Sequence, residues 1–321
     1  MAAEFEVPPA RRIRSTLRIR HLELLLALDD LRSLHKAGER MNMTQSAASK
    51  LLREIEAMFG VPLFLRSRRG ITPTAFGTAL FSKASLLLAD LDGARDEIES
   101  LARGGAGHVR LGALQVALPE LVPRTLARLR TEQPGITMLV QEGASDVLLA
   151  ALGRGELDCV LGRMTWQMES GGFRWEVLYD EPVCLVARVG HPLARMRKMT
   201  PECLARQEWI LPPREAPLRQ TIEHYFIAHR LPLPKAGIES VSVMTNAVLM
   251  RDTDMIAAMP LTMARYHAAL DRLAILRFRP DWSLPPVGIA MRAEASESPA
   301  FASFLSTLRA VARGLKATAA R

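Results

Sequence analysis

The sequence predicts two unlike parts joined by one long helix: an N-terminal all-helical unit carrying a small β wing, and a C-terminal α/β unit. Three observations carry this. A helix with a polar outer face, from Thr44 to Glu56, follows a shorter helix across a tight turn. Apolar residues then recur at alternating spacings of four and three from Leu80 to Leu101. Beyond Gly107, short apolar runs alternate with helical patterns, the order expected of mostly parallel sheets. A chain of 321 residues exceeds one typical domain, so two or three units are expected.

The elements follow in order. Residues 1–16, with Pro8, Pro9, Arg11, Arg12 and Arg14, read as a disordered basic tail. Ile19 to Leu31 is a first helix with Leu22, Leu25, Leu26 and Leu28 on its buried side. Leu34 to Met41 is a short helix whose Ala37-Gly38 pair suits a close helix crossing, although Gly38 costs helix propensity. Asn42-Met43 makes the turn, and Thr44 is an N-cap for the helix that follows. There Ala48, Leu51, Leu52, Ile55 and Phe59 form one apolar stripe, and Gln45, Ser49, Lys50, Arg53 and Glu56 lie opposite. Short polar groups backed by cations can reach base edges and phosphates together. A plain amphipathic surface helix has the same pattern; the helix and turn before it decide for a helix-turn-helix. Val61 to Leu65 and Ile71-Thr72 read as strands around Arg66-Ser67-Arg68-Arg69-Gly70, a wing tip with three arginines and no acid. Such a tip suits phosphates or a narrow minor groove.

Leu80, Ala84, Leu87, Leu91, Ala94, Ile98 and Leu101 make a heptad seam, which argues for pairing with a second helix over packing on the chain's own core. Residues 103–107 then break the helix as a hinge. In the α/β part, strands are expected at 109–114, 136–141, 157–162, 183–187, 209–211, 238–243, 255–258 and 286–291. Helices are expected at 118–130, 145–153, 201–205, 218–229, 245–251 and 299–313.

Charge and composition narrow the function. The net charge is +8, and residues 11–70 hold 13 Lys and Arg against 6 Asp and Glu, or +7. The basic charge therefore lies on the helix-turn-helix region, as an electrostatic footprint for nucleic acid would. No apolar segment is long enough for a membrane span, and Met1 to Arg20 has no secretory-signal pattern, so a cytoplasmic protein with no membrane partner is expected. Cys159, Cys184 and Cys203 are odd in number and far apart, which suits buried reduced thiols. His224 and His229 are five apart and face different ways, so no metal site is expected.

The run Ala37-Gly38-Glu39-Arg40-Met41-Asn42-Met43-Thr44-Gln45-Ser46-Ala47-Ala48-Ser49-Lys50, with Leu52, Glu54-Ile55-Glu56, Phe59-Gly60, Pro62-Leu63-Phe64, Arg66 and Thr72-Pro73-Thr74-Ala75-Phe76-Gly77, resembles the DNA-binding domain of the LysR-type transcriptional regulators. It departs at Gly38, where the family usually has Ala, and at Ile55, where it more often has Leu. The resemblance implies a winged helix-turn-helix over 17–74, a linker and dimerisation helix over 75–103, a hinge at 104–107 and an effector-binding domain over 108–315. That domain is a two-lobed α/β fold similar to type 2 periplasmic solute-binding proteins. Its lobe I would span 107–180 and 283–315, and lobe II 181–282, with crossovers near 177–186 and 277–287. DNA contacts are then expected from Thr44, Gln45, Ser46, Ser49, Lys50, Arg53, Arg66, Arg68 and Arg69. Dimerisation is expected through Leu80, Leu87, Leu91 and Ile98.

In open α/β folds, ligands bind beyond the carboxyl ends of strands, and a cleft between lobes adds a second wall. The loop after the first strand offers Gln115 and Val116. The next offers Ser145 at a helix start, a ready anion site and equally a plain N-cap. The family pattern places an effector-binding hydroxyl at Ser145 and often another at Val116, where this chain departs from it. Lobe II adds Pro212, Thr245 and Arg219, the last either a carboxylate clamp or a solvated helix-face residue. The expected effector is a carboxylate, a sugar acid or a sugar, and no cofactor is expected. The stretches at 209–219 and 237–240 resemble the subgroup that regulates sugar or aromatic-acid metabolism.

The resemblance further implies promoter inverted repeats as target, homodimers joining into homotetramers, and RNA polymerase as partner. Two other classes compete with this reading. One is an oxidant sensor working through its cysteines. The other is an α/β enzyme or transport-type binding protein, but Gly153-Arg154-Gly155 falls at a helix end and no nucleophile elbow occurs.

Overall fold

The computed structural model of the protein describes residues 8–67, 70–163, 172–278, 282, 284–293 and 298–319. It divides into one unit of Met1–Gly105 with Ala150–Leu157, and a second of Ala106–Leu149 with Asp158–Arg321.

The first unit opens on a helix where the sequence suggested a disordered tail. Helix α1, Ala10–Thr16, starts after Pro9, and the Ser15 and Thr16 hydroxyls donate back to the Arg12 carbonyl at 2.8 and 3.0 Å. Arginine and alanine are good helix formers, and proline is tolerated at a helix start, so the basic composition did not preclude order. Helix α2, Ile19–Leu31, ends on Arg32 in the left-handed region. Helix α3, Leu34–Arg40, is capped by Ser33, whose hydroxyl accepts from the Lys36 N–H. Helix α4, Gln45–Phe59, is capped by Thr44 accepting from the Ala47 N–H, and it stops at Gly60 with φ 70°. A Cβ on buried Gly38 would lie 2.9 Å from the Met43 carbonyl oxygen. Here glycine lets the turn close on α3, which offsets its poor helix propensity.

Leu24, Leu25 and Leu28 of α2 pack with Ala48, Leu51, Leu52 and Ile55 of α4 into one core. Strands β1, Phe64–Ser67, and β2, Gly70–Pro73, pair antiparallel with Leu65 opposite Thr72. The long helix α5, Ala75–Ala102, is capped by Thr74, which accepts from the Gly77 N–H and donates to the Pro62 carbonyl. The heptad row splits along this helix. Ala84 is buried and Leu80 half-buried against the unit's own core, whereas Leu87, Leu91, Ile98 and Leu101 are 54%, 51%, 68% and 62% exposed. Leu80 thus rests in part on the helical unit's own core.

The second unit has two five-stranded sheets. The first runs β4-β3-β5-β12-β6, from β3 (His108–Ala113), β4 (Thr137–Glu142), β5 (Cys159–Arg163), β6 (Phe173–Tyr179) and β12 (Val287–Arg292). Parallel β3, β4 and β5 meet β12 antiparallel, so the chain returns to this sheet after building the other. Helices α6, Leu121–Glu132, and α12, Pro299–Ala319, cover one face through Leu121, Leu129, Phe304 and Leu308. Helix α7, Ser145–Gly153, follows β4.

The second sheet runs β11-β7-β10-β8-β9, from β7 (Val183–Arg188), β8 (Glu208–Leu211), β9 (Lys235–Glu239), β10 (Ile256–Pro260) and β11 (Leu273–Ile275). Its helices are α8 (Pro201–Ala205), α9 (Pro217–Ala228), α10 (Val243–Asp252) and α11 (Leu261–Ala269). Both faces are buried, and alternation along β7 sorts them: Leu185 and Ala187 join Trp209 and Phe226 on one side, Cys184 and Val186 join Met250 and Met259 on the other.

Five elements of the second unit differ from expectation. Strand β6 was missed because its run Phe-Arg-Trp-Glu-Val-Leu-Tyr mixes charge with apolar residues; its Glu176 carboxylate takes a bidentate pair from Arg309 of α12. Helix α11 and strand β11 were missed because both are short. Strand β9 lies at 235–239, earlier than the expected 238–243, because it is a sheet edge where Lys235 and Glu239 stay exposed. The expected helix 118–130 begins at Leu121, since residues 114–118 form turns ahead of it.

Candidate DNA interface and effector cleft

Helix α4 turns its apolar stripe to the core, which leaves Gln45, Ser46, Lys50 and Arg53 exposed and Ser49 half-buried on the outer face. Thr44 Oγ1 lies 2.9 Å from the Ser46 hydroxyl while also accepting from Ala47, so cap and first turn are locked together. The wing comes to this face. Arg66 donates to the Ser49 hydroxyl at 3.3 Å, and Arg53 donates to the Ser49 carbonyl at 3.4 Å. Ser49 therefore holds two guanidiniums, one from the helix and one from the wing, at the same level. Arg68 and Arg69 lie outside the described residues.

Glu56, placed on the outer face by periodicity, does something else. Its Oε1 accepts from the N–H groups of Leu63 (2.9 Å) and Phe64 (3.3 Å), tying the wing's root to α4. The far side of the wing is tied by the Ile71 N–H donating to the carbonyl of left-handed Arg32. A Cβ on Gly77 would collide with the Leu63 carbonyl oxygen, so the entry of α5 presses directly on the wing.

In the α/β unit the expected effector residues gather at strand ends. Parallel pairing sets Ala113 opposite Glu142, so the loops after β3 and β4 are neighbours. Gln115, Val116 and Ser145, all half-buried, stand on these loops, with Val116 resting on the core beneath and Ser145 opening α7. In the second sheet Leu211 is opposite Glu239, and the Ser240 N–H donates to the Leu211 carbonyl at 2.9 Å. Pro212 and the start of α10 are thereby neighbours as well. Thr245 is exposed and bonded to Ser242, which caps α10.

Arg219 is neither of the things expected of it. Its side chain is only 5% exposed. Nε donates to Glu223 at 2.5 Å, and Nη1 donates to the Pro212 carbonyl at 3.1 Å and to Glu239 at 3.2 Å. It is a buried tie between α9, the Pro212 turn and the end of β9, with two carboxylates already in place of any ligand. Asn246, beside Thr245, has its Oδ1 buried without a hydrogen-bond partner among the described residues.

Periodicity also gave no sign of the junction between the two sheets. Arg163, at the end of β5, donates at 2.6 Å to the carbonyls of both Glu181 and Pro285, one on each chain crossing. The buried Glu181 carboxylate accepts from the Thr262 N–H and hydroxyl at 3.1 and 3.0 Å. Burial holds the Glu181 carboxyl above the usual carboxylate range against these bonds and the Arg163 charge. Burial also pushes Cys159 well up and Cys184 up to about 12. Both thiols thus stay protonated and unreactive. Among the described residues no His, Cys, Asp and Glu group could hold a metal, and no helix is long and apolar enough to cross a membrane.

Comparison with known proteins agrees with this division. Residues 19–78 match the bacterial regulatory helix-turn-helix proteins of the lysR family, and residues 102–313 match the LysR substrate binding domain. The chain is 32% identical to the HTH-type transcriptional regulator GbpR of Azospirillum brasilense, across 93% of this chain and 87% of that one. It is 28% identical to the regulator PcaQ of Agrobacterium fabrum, across 92% and 95%. Its fold is that of CbnR, a LysR family transcriptional regulator, with a TM-score of 0.63 at 18% identity over 92% of this chain and 99% of that one. A full-length OxyR from Pseudomonas aeruginosa gives 0.62 at 22% identity over 92% and 95%. With one family match on the unit that presents α4 and its wing, and another over the paired sheets, this chain belongs to the LysR family: a DNA-binding transcriptional regulator with an effector-binding domain, and not an enzyme.

Proposed function

We propose that the protein reads promoter inverted repeats as a homodimer or homotetramer in the cytoplasm, under control of a small anionic or polyol metabolite held at the strand ends of its α/β unit. The observation that carries the effector reading is the convergence of Gln115 and Ser145 on adjoining strand ends. Ser145 opens a helix, where backbone N–H groups favour an anion. The unpartnered Oδ1 of Asn246 adds an acceptor beside the Pro212 turn, which a ligand hydroxyl would satisfy. Carboxylates, sugar acids and sugars meet this mixture of donors and acceptor, and the half-buried Val116 accommodates a flat or apolar part. GbpR and PcaQ are HTH-type transcriptional regulators that this chain matches over most of its length. A full-length CbnR is known in complex with its target DNA, which supports the promoter as ligand of the helical unit. Contact with RNA polymerase belongs to the same reading.

Effector binding acts on DNA only as far as it favours one conformer over another. Losing a hydrogen bond to a charged oxygen costs about 1.5–3 kcal/mol. Ser145→Ala should therefore weaken effector binding by roughly ten- to a hundredfold and leave effector-free DNA binding intact. Titration calorimetry with a panel of sugar acids, sugars and aromatic carboxylates measures this. A cationic effector, or unaltered affinity in the variant, would show that the site lies elsewhere.

A further inference from the structure

The N-terminal helix lies ahead of the residues that match the family's helix-turn-helix, yet it builds a cleft with that motif. Arg12 and Thr16 of α1, Arg18, Arg20 and His21 at the start of α2, and Glu54, Ala57 and Met58 of α4 enclose about 380 Å³. Three guanidiniums face one carboxylate there. Arg12, Arg18 and Arg20 are exposed, and among the described residues none of them is in an ion pair. His21 forms the buried wall. Its Nδ1 accepts from the Arg18 N–H at 3.0 Å, which puts the ring proton on Nε2, a buried donor with no acceptor among the described residues.

The cleft's position says what fills it. Ser46, Lys50, Arg53 and Ala57 are spaced four, three and four along α4 and so share one face. That is the face offered to base edges, and the cleft opens at its C-terminal end. From Lys50 to Ala57 the helix rises about 10 Å, close to the roughly 12 Å width of a major groove. A duplex read by the first turns of α4 therefore brings the sugar-phosphate strand at the groove's edge to the cleft, where bases do not reach.

We propose that α1 and the start of α2 form an additional clamp on the DNA backbone, in which Arg12, Arg18 and Arg20 take phosphates flanking the bases read by α4. This rests on the DNA-binding reading and adds sequence-independent contacts to it. Each phosphate neutralised contributes about 0.9 to the slope of log affinity against log salt, so Arg12→Ala with Arg20→Ala should reduce that slope by roughly 1.8 for each protomer on the DNA, or roughly 3.6 for a dimer. The reduction should be the same on a generic 40-base-pair duplex and on a duplex the protein itself selects from a random pool. Preference between the two should not change. Arg12→Lys with Arg20→Lys should restore the slope, since a point charge serves a phosphate as well. Hydroxyl-radical footprinting should lose protection at the flanking sugars in the alanine variant alone. Both arginines are exposed, and an unaltered melting temperature checks that the variant is folded. Wild-type binding with an unchanged slope and footprint in the alanine variant would overturn the clamp. So would an unchanged slope accompanied by arginine-dependent stabilisation by inorganic phosphate, which would make the cleft a small-anion site. Absence of salt-dependent DNA binding in the wild type would instead overturn the DNA-binding reading itself.

Discussion

Ser49 is where the two halves of the DNA surface meet, because its hydroxyl receives Arg66 of the wing and its carbonyl receives Arg53 of the same helix. Those bonds fix the guanidiniums before DNA arrives, which lowers the ordering cost of binding. Gln45, in the first turn of α4, is exposed and points outward with Ser46. A side-chain amide in this position reads a base edge by a bidentate contact, worth about 1–3 kcal/mol of discrimination. Gln45→Ala should cost that much on a selected duplex and far less on random DNA, by fluorescence anisotropy at fixed salt. Equal losses on both would mean that Gln45 positions the helix and reads nothing. Glu56 gives the opposite lesson: it lies near the same face but serves the wing's backbone, so Glu56→Ala should loosen the wing for every sequence alike.

At the scale of elements, α5 divides its apolar row between two tasks. Phe81 joins the helical unit's core and Ala84 is buried, whereas Leu87, Leu91, Ile98 and Leu101 are each more than half exposed among the described residues. A partner helix laid along the second half would bury them. Leu91→Asp should therefore leave the chain folded, since the side chain is half exposed in a single copy, but should place an unpaired charge in the seam. Light scattering should show a lower oligomer with weakened DNA binding; an unchanged mass would remove the seam from α5. Phe81→Ala is the contrasting case, costing about 3–5 kcal/mol as a core truncation and affecting folding first. Sequence periodicity made the helix and its row legible because both follow from spacing alone. It could not divide the row, because which residues meet the chain's own core depends on where α2 packs. Arg219 was opaque for the same reason: two of its three acceptors, Glu239 and the Pro212 carbonyl, come from a strand end and a turn that only the fold brings beside α9. The α1 helix was hidden by composition, since arginines and prolines read as a tail until packing on α4 is known.

At the scale of the whole molecule, the α/β unit depends on a polar junction where apolar packing would be expected. Arg163 satisfies the carbonyls of Glu181 and Pro285, and Glu181 in turn satisfies the first turn of α11. Both chain crossings between the sheets are thereby held by the Arg163 guanidinium, and the buried Glu181 carboxylate ties the second of them to α11. Burial raises the Glu181 carboxyl and lowers the Arg163 guanidinium from their usual values, so each group is held at a cost in its charged form. The consequence for pH follows from proton counting. A carboxyl raised in the folded state binds its proton more tightly there than in the unfolded chain. Its contribution is fully favourable below the unfolded value near 4.5 and is lost as pH rises through the raised folded value. Glu181→Gln keeps an oxygen to accept from the Thr262 N–H and removes the titration. The variant should therefore lose stability less steeply than wild type as pH rises from about 4.5 toward neutrality, and should match or exceed it at neutral pH. Urea unfolding of wild type and variant at a series of pH values tests this. A variant whose stability falls with pH as steeply as the wild type would show that Glu181 does not titrate there. A variant less stable at every pH would show that the carboxylate itself, bonded to Thr262, holds the junction.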